Sequence, residues 1–241
     1  MLKPEAFEQL SDARRRDYLR QLLYTGALGA LPCHLAYAGW FSSSSKKLAD
    51  DRSIHSLEGD VRVNEKPANL ETRIYAGDTI STGDSGEIKF AVGGDSFLLR
   101  SRSEMEIAGD NFFVQSLKMI TGRLLSVFAT REQAYGVEIA TSTATIGIRG
   151  TGVYLESEPD QTYACTCYGK VTLGSNQDPN DIEKIKSKNH DEPRYITRDS
   201  SKGSRIRKAP VINHSNKELE LLEAIVGRKV PPGFGKQSYE N

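Results

Sequence analysis

The chain has 241 residues, of which 37% are hydrophobic, 27% are charged and 21 are glycine. This composition is typical of a soluble protein with one β-rich domain and polar connections. Lysine plus arginine and aspartate plus glutamate each number 32, so the chain lacks the positive charge of a dedicated nucleic-acid-binding protein, and three cysteines are too few for a disulfide scaffold.

The chain begins with the pattern of an export signal. Arg15 and Arg16 precede an uncharged segment over residues 22–41, and Ala36 and Ala38 form an A-x-A cleavage pattern. A positive region, an apolar region and a small-residue site in this order are typical of a signal peptide. The arginine pair followed by Asp-Tyr-Leu is similar to a twin-arginine signal. We therefore expect export to the periplasm, with cleavage after Ala38.

Two other interpretations of this N-terminal region, residues 1–38, stay open at the level of sequence. An uncharged segment of this length can just span a bilayer, so residues 22–41 could instead form a helix that anchors the chain in the inner membrane. An ordinary buried helix is the third interpretation. If cleavage occurs, the mature chain keeps two cysteines and three histidines: Cys165, Cys167, His55, His190 and His214.

A serine- and lysine-rich linker is predicted over residues 39–56, and strand signals follow over residues 57–174. Apolar residues alternate with polar ones, most clearly at Ile88, Phe90 and Val92, and short turns rich in glycine and aspartate separate the segments. Alternation with a period of two indicates half-buried β-strands. Many short strands with a turn about every 8–12 residues predict an all-β domain, either a sandwich or a solenoid.

The most informative stretch covers residues 137–174. We interpret it as three strands, with the glycine-rich sequence TIGIRGTG as a sharp turn and a Cys-Thr-Cys triplet inside the last strand. Glycine is favoured where the backbone turns sharply or packs closely against another segment. The period of two predicts two faces for the last strand, with Tyr163, Cys165 and Cys167 on one and Ala164, Thr166 and Tyr168 on the other.

The order of these motifs resembles the FecR domain, which is named after the ferric citrate regulator of Gram-negative bacteria. An Ala/Thr-rich strand, G-x-R-G-T, a further strand and a strand ending in G-x-V follow one another, and upstream AGDTISTG matches the domain's opening G-D-x-I/L-x-T-G. The resemblance covers residues 57–174. It implies a β-solenoid-like stack, and a non-enzymatic protein-interaction or sensing module of the cell envelope.

In the family's regulators this domain lies outside the inner membrane and relays the occupancy of an outer-membrane transporter to a sigma factor. Those regulators carry a cytoplasmic anti-sigma domain before the membrane segment, whereas only about twenty residues precede the apolar segment here. The resemblance therefore implies binding of an envelope protein without the intracellular half. Contact with a membrane is expected only through the N-terminal segment, if it is not cleaved.

The C-terminal part divides into a polar region, a helix and a tail. Residues 175–214 are charged, with basic runs at 184–188 and 201–208, and we expect a functional or disordered loop. A capping-box pattern then predicts an amphipathic helix over residues 215–228 that docks on the sheet, followed by a tail over residues 229–241. Its apolar stripe is Leu219, Leu222, Ile225 and Val226.

Cys165 and Cys167 are the strongest candidates for chemistry. Two residues apart in a strand, their Cα atoms lie about 6.5–7 Å apart, whereas a disulfide prefers about 5.5–6 Å. In an oxidising compartment such a pair is core, metal-bound, redox-active or bridged to another chain. Thiolates with imidazoles suit zinc, copper or iron, and His190 and His214 lie in the polar region that follows. A periplasmic metal-binding or redox-handling protein is therefore the alternative function.

Other polar residues give weaker signals. Arg149 either braces the glycine-rich turn or uses its fork of donors to bind several carbonyls. Asp191 and Glu192 lie beside His190 and are expected to be solvated. No acid–base pair, nucleophile triad or phosphate-binding loop is recognisable in the sequence, so we expect a protein that is not an enzyme.

Overall fold

A computed structural model describes residues 47–131, 136–199 and 203–235. Within these ranges the chain forms fourteen strands and one helix, α1 (Asn216–Ile225), so the all-β prediction is confirmed. The strands are β1 (Ile54–Glu58), β2 (Val61–Val63), β3 (Lys66–Pro67), β4 (Thr79–Thr82), β5 (Glu87–Val92), β6 (Asp95–Leu99), β7 (Glu104–Asp110), β8 (Phe113–Val127), β9 (Val137–Ala140), β10 (Ala144–Ser157), β11 (Gln161–Ser175), β12 (Asp178–Ser187), β13 (Arg194–Thr197) and β14 (Ile206–Lys208).

The predicted export signal lies outside the described residues, which applies to Arg15, Arg16, Ala36 and Ala38 alike. In the part of the chain that the structure describes, no helix is both long enough and apolar enough to cross a membrane.

Three long strands, β8, β10 and β11, bend so that their halves belong to two different layers. The first layer runs β1-β5-β6-β8-β10-β11-β13-β14. The second runs β3-β2-β4-β7-β8-β9-β10-β11-β12. The strands bend at Gly122, Gly150 and Gly169, with φ of 95°, 55° and 97°. Glycine adopts this left-handed region without the steric cost of a Cβ atom.

One hydrophobic core lies between the two layers. It contains Phe90 and Leu155 from the first layer and Ile80, Ile139 and Leu173 from the second, all almost fully buried. Every strand pair except β8–β9 is antiparallel. Two layers packed face to face on a shared core fit the sandwich alternative better than the solenoid-like stack.

The glycine-rich sequence TIGIRGTG does not form a turn between two strands, contrary to our interpretation. It lies inside β10, which stays paired with β11 on both sides of an irregularity between Arg149 and Gly152. There Gly150 and Thr151 face Gly169 alone, and this one extra residue rotates the backbone into the other layer without ending the strand, as bulges do. A second irregularity follows between Gly152 and Val153, which pair with Tyr168 and Thr166. It places Tyr168 in a cluster with Cys165 and Cys167, rather than on the opposite face.

The predicted polar loop over residues 175–214 is wrong, because this region contains β12, β13 and β14. β12 and β14 lie at the borders of the two layers, and β13 lies between β14 and β11. Each of the three strands contributes one main apolar residue to the core: Ile185, Ile196 and Ile206. Most of the other side chains of these strands face water. Their amino-acid composition therefore resembles that of a loop, although their backbones are hydrogen-bonded in the sheet. The linker prediction is likewise too long, since β1 begins at Ile54 with Ser53 already buried.

The C-terminal helix begins where its capping box predicts. The Ser215 side chain accepts a hydrogen bond from the Glu218 backbone N–H, and the Glu218 carboxylate accepts one from the Ser215 N–H at 2.8 Å. The helix ends before Gly227, which has a φ of 74°. Its buried residues form a second hydrophobic cluster on the outer face of the first layer. The members from helix and sheet include Leu219, Leu222, Ile225, Leu98, Leu125 and Val127.

Candidate metal centre

The structure brings together the four side chains that the sequence analysis named as metal ligands. One candidate ligand atom from each of Cys165, Cys167, His190 and His214 lies within 4.8 Å of the other three, and all four residues are buried. They come from three separate parts of the chain: β11, the link between β12 and β13, and the residue before the N-cap of α1.

The two cysteines project from β11 into the space between the first layer and α1. Both are fully buried, and neither forms a disulfide. The Cys165 Sγ atom lies 3.6 Å from the Nδ1 atom of His190, and the Cys167 Sγ atom lies 3.7 Å from the carbonyl oxygen of Cys165. As predicted, the thiols are on one side of the strand.

His190 is held by a tight link between β12 and β13. Its φ of 57° is uncommon for a residue other than glycine. Its backbone N–H donates to the Cys167 carbonyl at 2.9 Å, which ties the link to β11. The Asp191 carboxylate accepts hydrogen bonds from the backbone N–H groups of Lys188 and Asn189. Asp191 is exposed, as expected, and its carboxylate also stabilises the link.

His214 is oriented from two directions. Its Nδ1 atom lies 2.6 Å from the carbonyl oxygen of Ile212, and its ring stacks on Tyr154 with 4.5 Å between centroids and 17° between planes. Tyr154 is fully buried and donates to the Glu156 carboxylate at 2.7 Å. A rigid aromatic neighbour and a fixed carbonyl acceptor therefore define where the other ring nitrogen points.

The hydrogen bonds fix one nitrogen of each ring as a donor. Because a carbonyl oxygen can only accept, the Nδ1 atom of His214 donates to Ile212. The Nε2 atom of His190 lies 2.8 Å from the Asn216 side-chain oxygen and donates to it. The other two ring nitrogens, Nε2 of His214 and Nδ1 of His190, are the ones available to an ion, and they lie 2.9 Å apart, at hydrogen-bond distance. Orientation of imidazoles by such acceptors is typical of metal sites.

The thiols differ in acidity. The pKa of Cys165 lies well below its ordinary value, chiefly because its sulfur accepts a hydrogen bond from the Cys167 thiol and also because of the two histidines. Burial raises the pKa of Cys167 well above its ordinary value. The lowered pKa of Cys165 favours its thiolate, which is the form that binds metal ions.

The distances suit a tetrahedral ion after small adjustments. Zinc with two sulfur and two nitrogen ligands requires ligand–ligand separations of about 3.3–3.8 Å, from bond lengths of about 2.1 and 2.3 Å. The observed nitrogen–nitrogen distance is 2.9 Å and the closest sulfur–nitrogen distance is 3.6 Å. Four ligands from the protein in a buried position leave no place for a substrate, as in structural zinc sites.

Three residues that contact this centre were not predicted from the sequence. Asn216 accepts from His190, Tyr154 stacks on His214, and the Phe234 ring lies 5.4 Å from the His190 ring. None of these three residues belongs to a recognisable sequence motif. Their positions in the sequence do not indicate that they contact the histidines. Arg149, which was expected to brace a turn, is exposed on the sheet surface.

Comparisons with known proteins add a fold likeness of limited extent. The sequence matches no protein-family model, and no curated protein matches it. The chain is similar to two crystal structures described as a "putative anti-sigma factor" from Parabacteroides distasonis ATCC 8503. Each is 15% identical, has a TM-score of 0.44, and covers 54% of this chain and 58% of its own. The chain thus spans little more than half of these structures.

Proposed function

We propose that this chain is a non-enzymatic metal-binding β-domain protein, in which Cys165, Cys167, His190 and His214 hold one zinc ion. The convergence of these four buried ligands is the observation that carries the proposal. Zinc prefers four-coordinate sites made of thiolate and imidazole, and it has no redox chemistry that would threaten the thiols. Copper and iron are the competing ions for the same donors.

The position of the centre suggests a structural role for the ion. His190 belongs to the link after β12, and His214 and Asn216 flank the N-cap of α1, whereas both cysteines belong to β11. One ion would therefore fasten the helix and the link to the sheet. Metal binding energy in such sites is also folding energy, because the unfolded chain has no preformed site.

The wider role we propose is that of an exported protein-interaction or sensing domain of the FecR type. The order of the sequence motifs over residues 57–174 supports this, and the all-β fold agrees with it. In this proposal the domain binds an envelope protein in the periplasm, after export through the N-terminal signal.

Metal analysis of the purified full chain tests the zinc proposal. We expect about one equivalent of zinc per chain by mass spectrometry of the metal, and background levels in Cys165→Ser and His190→Ala. His55→Ala is the matched control because His55 lies outside the cluster. Equal zinc in His190→Ala and in the control, with both variants folded by circular dichroism, would refute the proposed ligands.

Cobalt substitution gives a second readout that does not depend on how much metal the purified protein retains. Two thiolate ligands should give a sulfur-to-cobalt charge-transfer band and tetrahedral visible bands. The charge-transfer band should weaken in Cys167→Ser while the protein stays folded. A cobalt spectrum without sulfur character would exclude the cysteines.

A further inference from the structure

A row of positive side chains crosses the outer face of the second layer, which does not carry the metal centre. Arg149 on β10 is directly opposite Lys170 on β11, and Lys170 is directly opposite Lys186 on β12. Lys184 lies two residues before Lys186 on the same strand. All four side chains are exposed. With strands about 4.8 Å apart, the row brings three charges into about 10 Å.

This arrangement is unfavourable for the sheet alone. Like charges directly opposite one another on neighbouring strands destabilise the pair. Within residues 47–131, 136–199 and 203–235, none of the four cations forms an ion pair or a side-chain hydrogen bond. These four exposed positions therefore carry charges that repel one another, although uncharged polar residues would be compatible with the same fold.

A lysine elsewhere on the same layer shows the ordinary arrangement. Lys118 on β8 lies next to Glu106 on β7, with 3.4 Å between the ammonium and the carboxylate. Lys118 is also exposed, and its strand neighbours Leu117 and Met119 are buried, so it faces outward as the row does. An outward lysine on this layer can thus be paired with a carboxylate across a strand, whereas the row is not.

The surface beside the row is open. Gly147 lies two residues before Arg149 and opposite Thr172, and a Cβ atom built on Gly147 would meet no atom closer than 3.9 Å. The resulting cleft is lined by Gly147, Arg149, Lys170, Thr172, Lys184 and Lys186. A carboxylate also lies beside it, because Glu138 on β9 is opposite Gly147. A ligand can therefore lie flat on the sheet against the cations.

We propose that this cleft binds a compact polyphosphate anion, with two or three linked phosphate groups. Several negative charges within about 10 Å match the spacing of the row, whereas a single carboxylate would leave most of the cations unpaired. The planar guanidinium of Arg149 suits bidentate contact with one phosphate group. The ammonium groups of Lys170, Lys184 and Lys186 act as point charges for the neighbouring phosphates. Thr172 adds a hydroxyl donor.

Titration calorimetry of the full chain with inorganic triphosphate at about physiological salt tests this site. We expect binding that is at least tenfold tighter than that of orthophosphate. The double variant Arg149→Gln/Lys186→Gln should lose at least tenfold in affinity. Glu138→Gln should tighten binding, because it removes a carboxylate beside the cleft. Binding should also weaken steeply as salt is raised, since exposed charges are screened.

The matched control is Lys118→Gln/Lys217→Gln, which removes the same number of charges from exposed positions away from the cleft. It should bind triphosphate as the unmodified chain does. An equal loss in this control would show that only net charge matters and would overturn the proposal. Triphosphate binding no tighter than that of orthophosphate would overturn it as well. The result does not depend on the metal content of the protein.

Discussion

The Nε2 atom of His214 lies 2.9 Å from the Nδ1 atom of His190, and the other nitrogen of each ring donates to an oxygen, that of Ile212 or of Asn216. The two facing nitrogens share a proton in a hydrogen bond or bind a cation, because two bare lone pairs that face each other inside a protein repel. The Cys165 sulfur lies 3.6 Å from the same His190 nitrogen. Nitrogen and sulfur ligand atoms therefore converge at a point where a metal cation can replace that proton.

Removal of the ion should consequently lower the thermal stability of the chain. A ligand present at about a hundred times its dissociation constant stabilises a protein by about 2.7 kcal/mol. For a domain of this size that corresponds to a Tm lower by about 5–10 °C after chelation. The Tm should be measured by calorimetry with and without a chelator, and zinc should restore it.

His214→Ala is the variant that separates this effect from unspecific actions of the chelator. It should start with a lower Tm and show no further decrease when the chelator is added. His55→Ala should respond as the unmodified chain does. A chelator effect of equal size in His214→Ala would mean that the ion is bound elsewhere.

Sequence alone predicted those features that depend on neighbouring residues. The alternation around Cys165 and Cys167 predicted that both thiols point the same way. The pattern Ser215-x-x-Glu218 predicted the start of the helix, since a capping box is formed within one turn. Both histidines were proposed as ligands because few other donors were available.

What sequence could not predict depends on distant pairing. Nothing local shows that β10 continues through Gly150 into a second layer, because the bend is defined by its partners on β11 and β8. The strands after residue 175 were missed for a related reason. Strands at a border expose much of their surface, so β12 has the composition of a loop and is recognisable only by its pairing with β11.

Helix docking can be tested at Leu222, which is fully buried in the second hydrophobic cluster. Leu222→Asp places a charge among apolar side chains and should lower the free energy of unfolding by about 3–5 kcal/mol. Glu220→Ala is the control because Glu220 is exposed on the same helix, and its effect should stay within about 0.5 kcal/mol. Equal denaturant midpoints for the two variants would show that the helix contributes nothing to stability.

The bend in β11 can be tested at Gly169. Its φ is 97°, and a Cβ atom there would lie 2.4 Å from the Thr151 hydroxyl oxygen and 2.9 Å from the Gly150 carbonyl oxygen. Gly169→Ala should cost about 2 kcal/mol or more, from backbone strain and overlap together. Gly174→Ala on the same strand is the control, since its Cβ would lie 3.7 Å from the nearest atom. The bend is not glycine-dependent if both variants unfold at the same urea concentration.

Asp95 should make stability depend on pH. Burial raises the pKa of its carboxyl, although the Ala129 N–H and the Arg131 guanidinium oppose this. Because the folded pKa lies above the unfolded one, the folded state holds the proton more strongly, and stability falls as pH rises from about 4 through the folded pKa. The asparagine side chain of the variant Asp95→Asn does not titrate, so the variant lacks this contribution to the pH dependence of stability. The unmodified chain should thus lose stability relative to the variant as pH rises above the ordinary aspartate pKa of about 4, as urea unfolding at a series of pH values would measure.

The control is Asp51→Asn, which removes a carboxylate from an exposed position. It measures how much the loss of one exposed negative charge changes the pH dependence of stability. A stability difference between Asp95→Asn and the unmodified chain that is constant with pH would contradict the raised pKa. A difference of the opposite sign would mean that the Arg131 ion pair outweighs burial.

The predicted export signal lies before the described ranges. If Arg15 and Arg16 form a twin-arginine signal, replacing both by lysine should leave unprocessed precursor in the cytoplasm, because that route reads the arginine pair itself and not positive charge in general. Arg14→Lys is the matched control, since it changes the neighbouring arginine only. Cell fractionation locates the protein, and mass spectrometry of its N-terminus shows whether cleavage follows Ala38. Normal export of the double variant would exclude the twin-arginine route, and an uncleaved, membrane-bound product of the unmodified chain would identify residues 22–41 as an anchor.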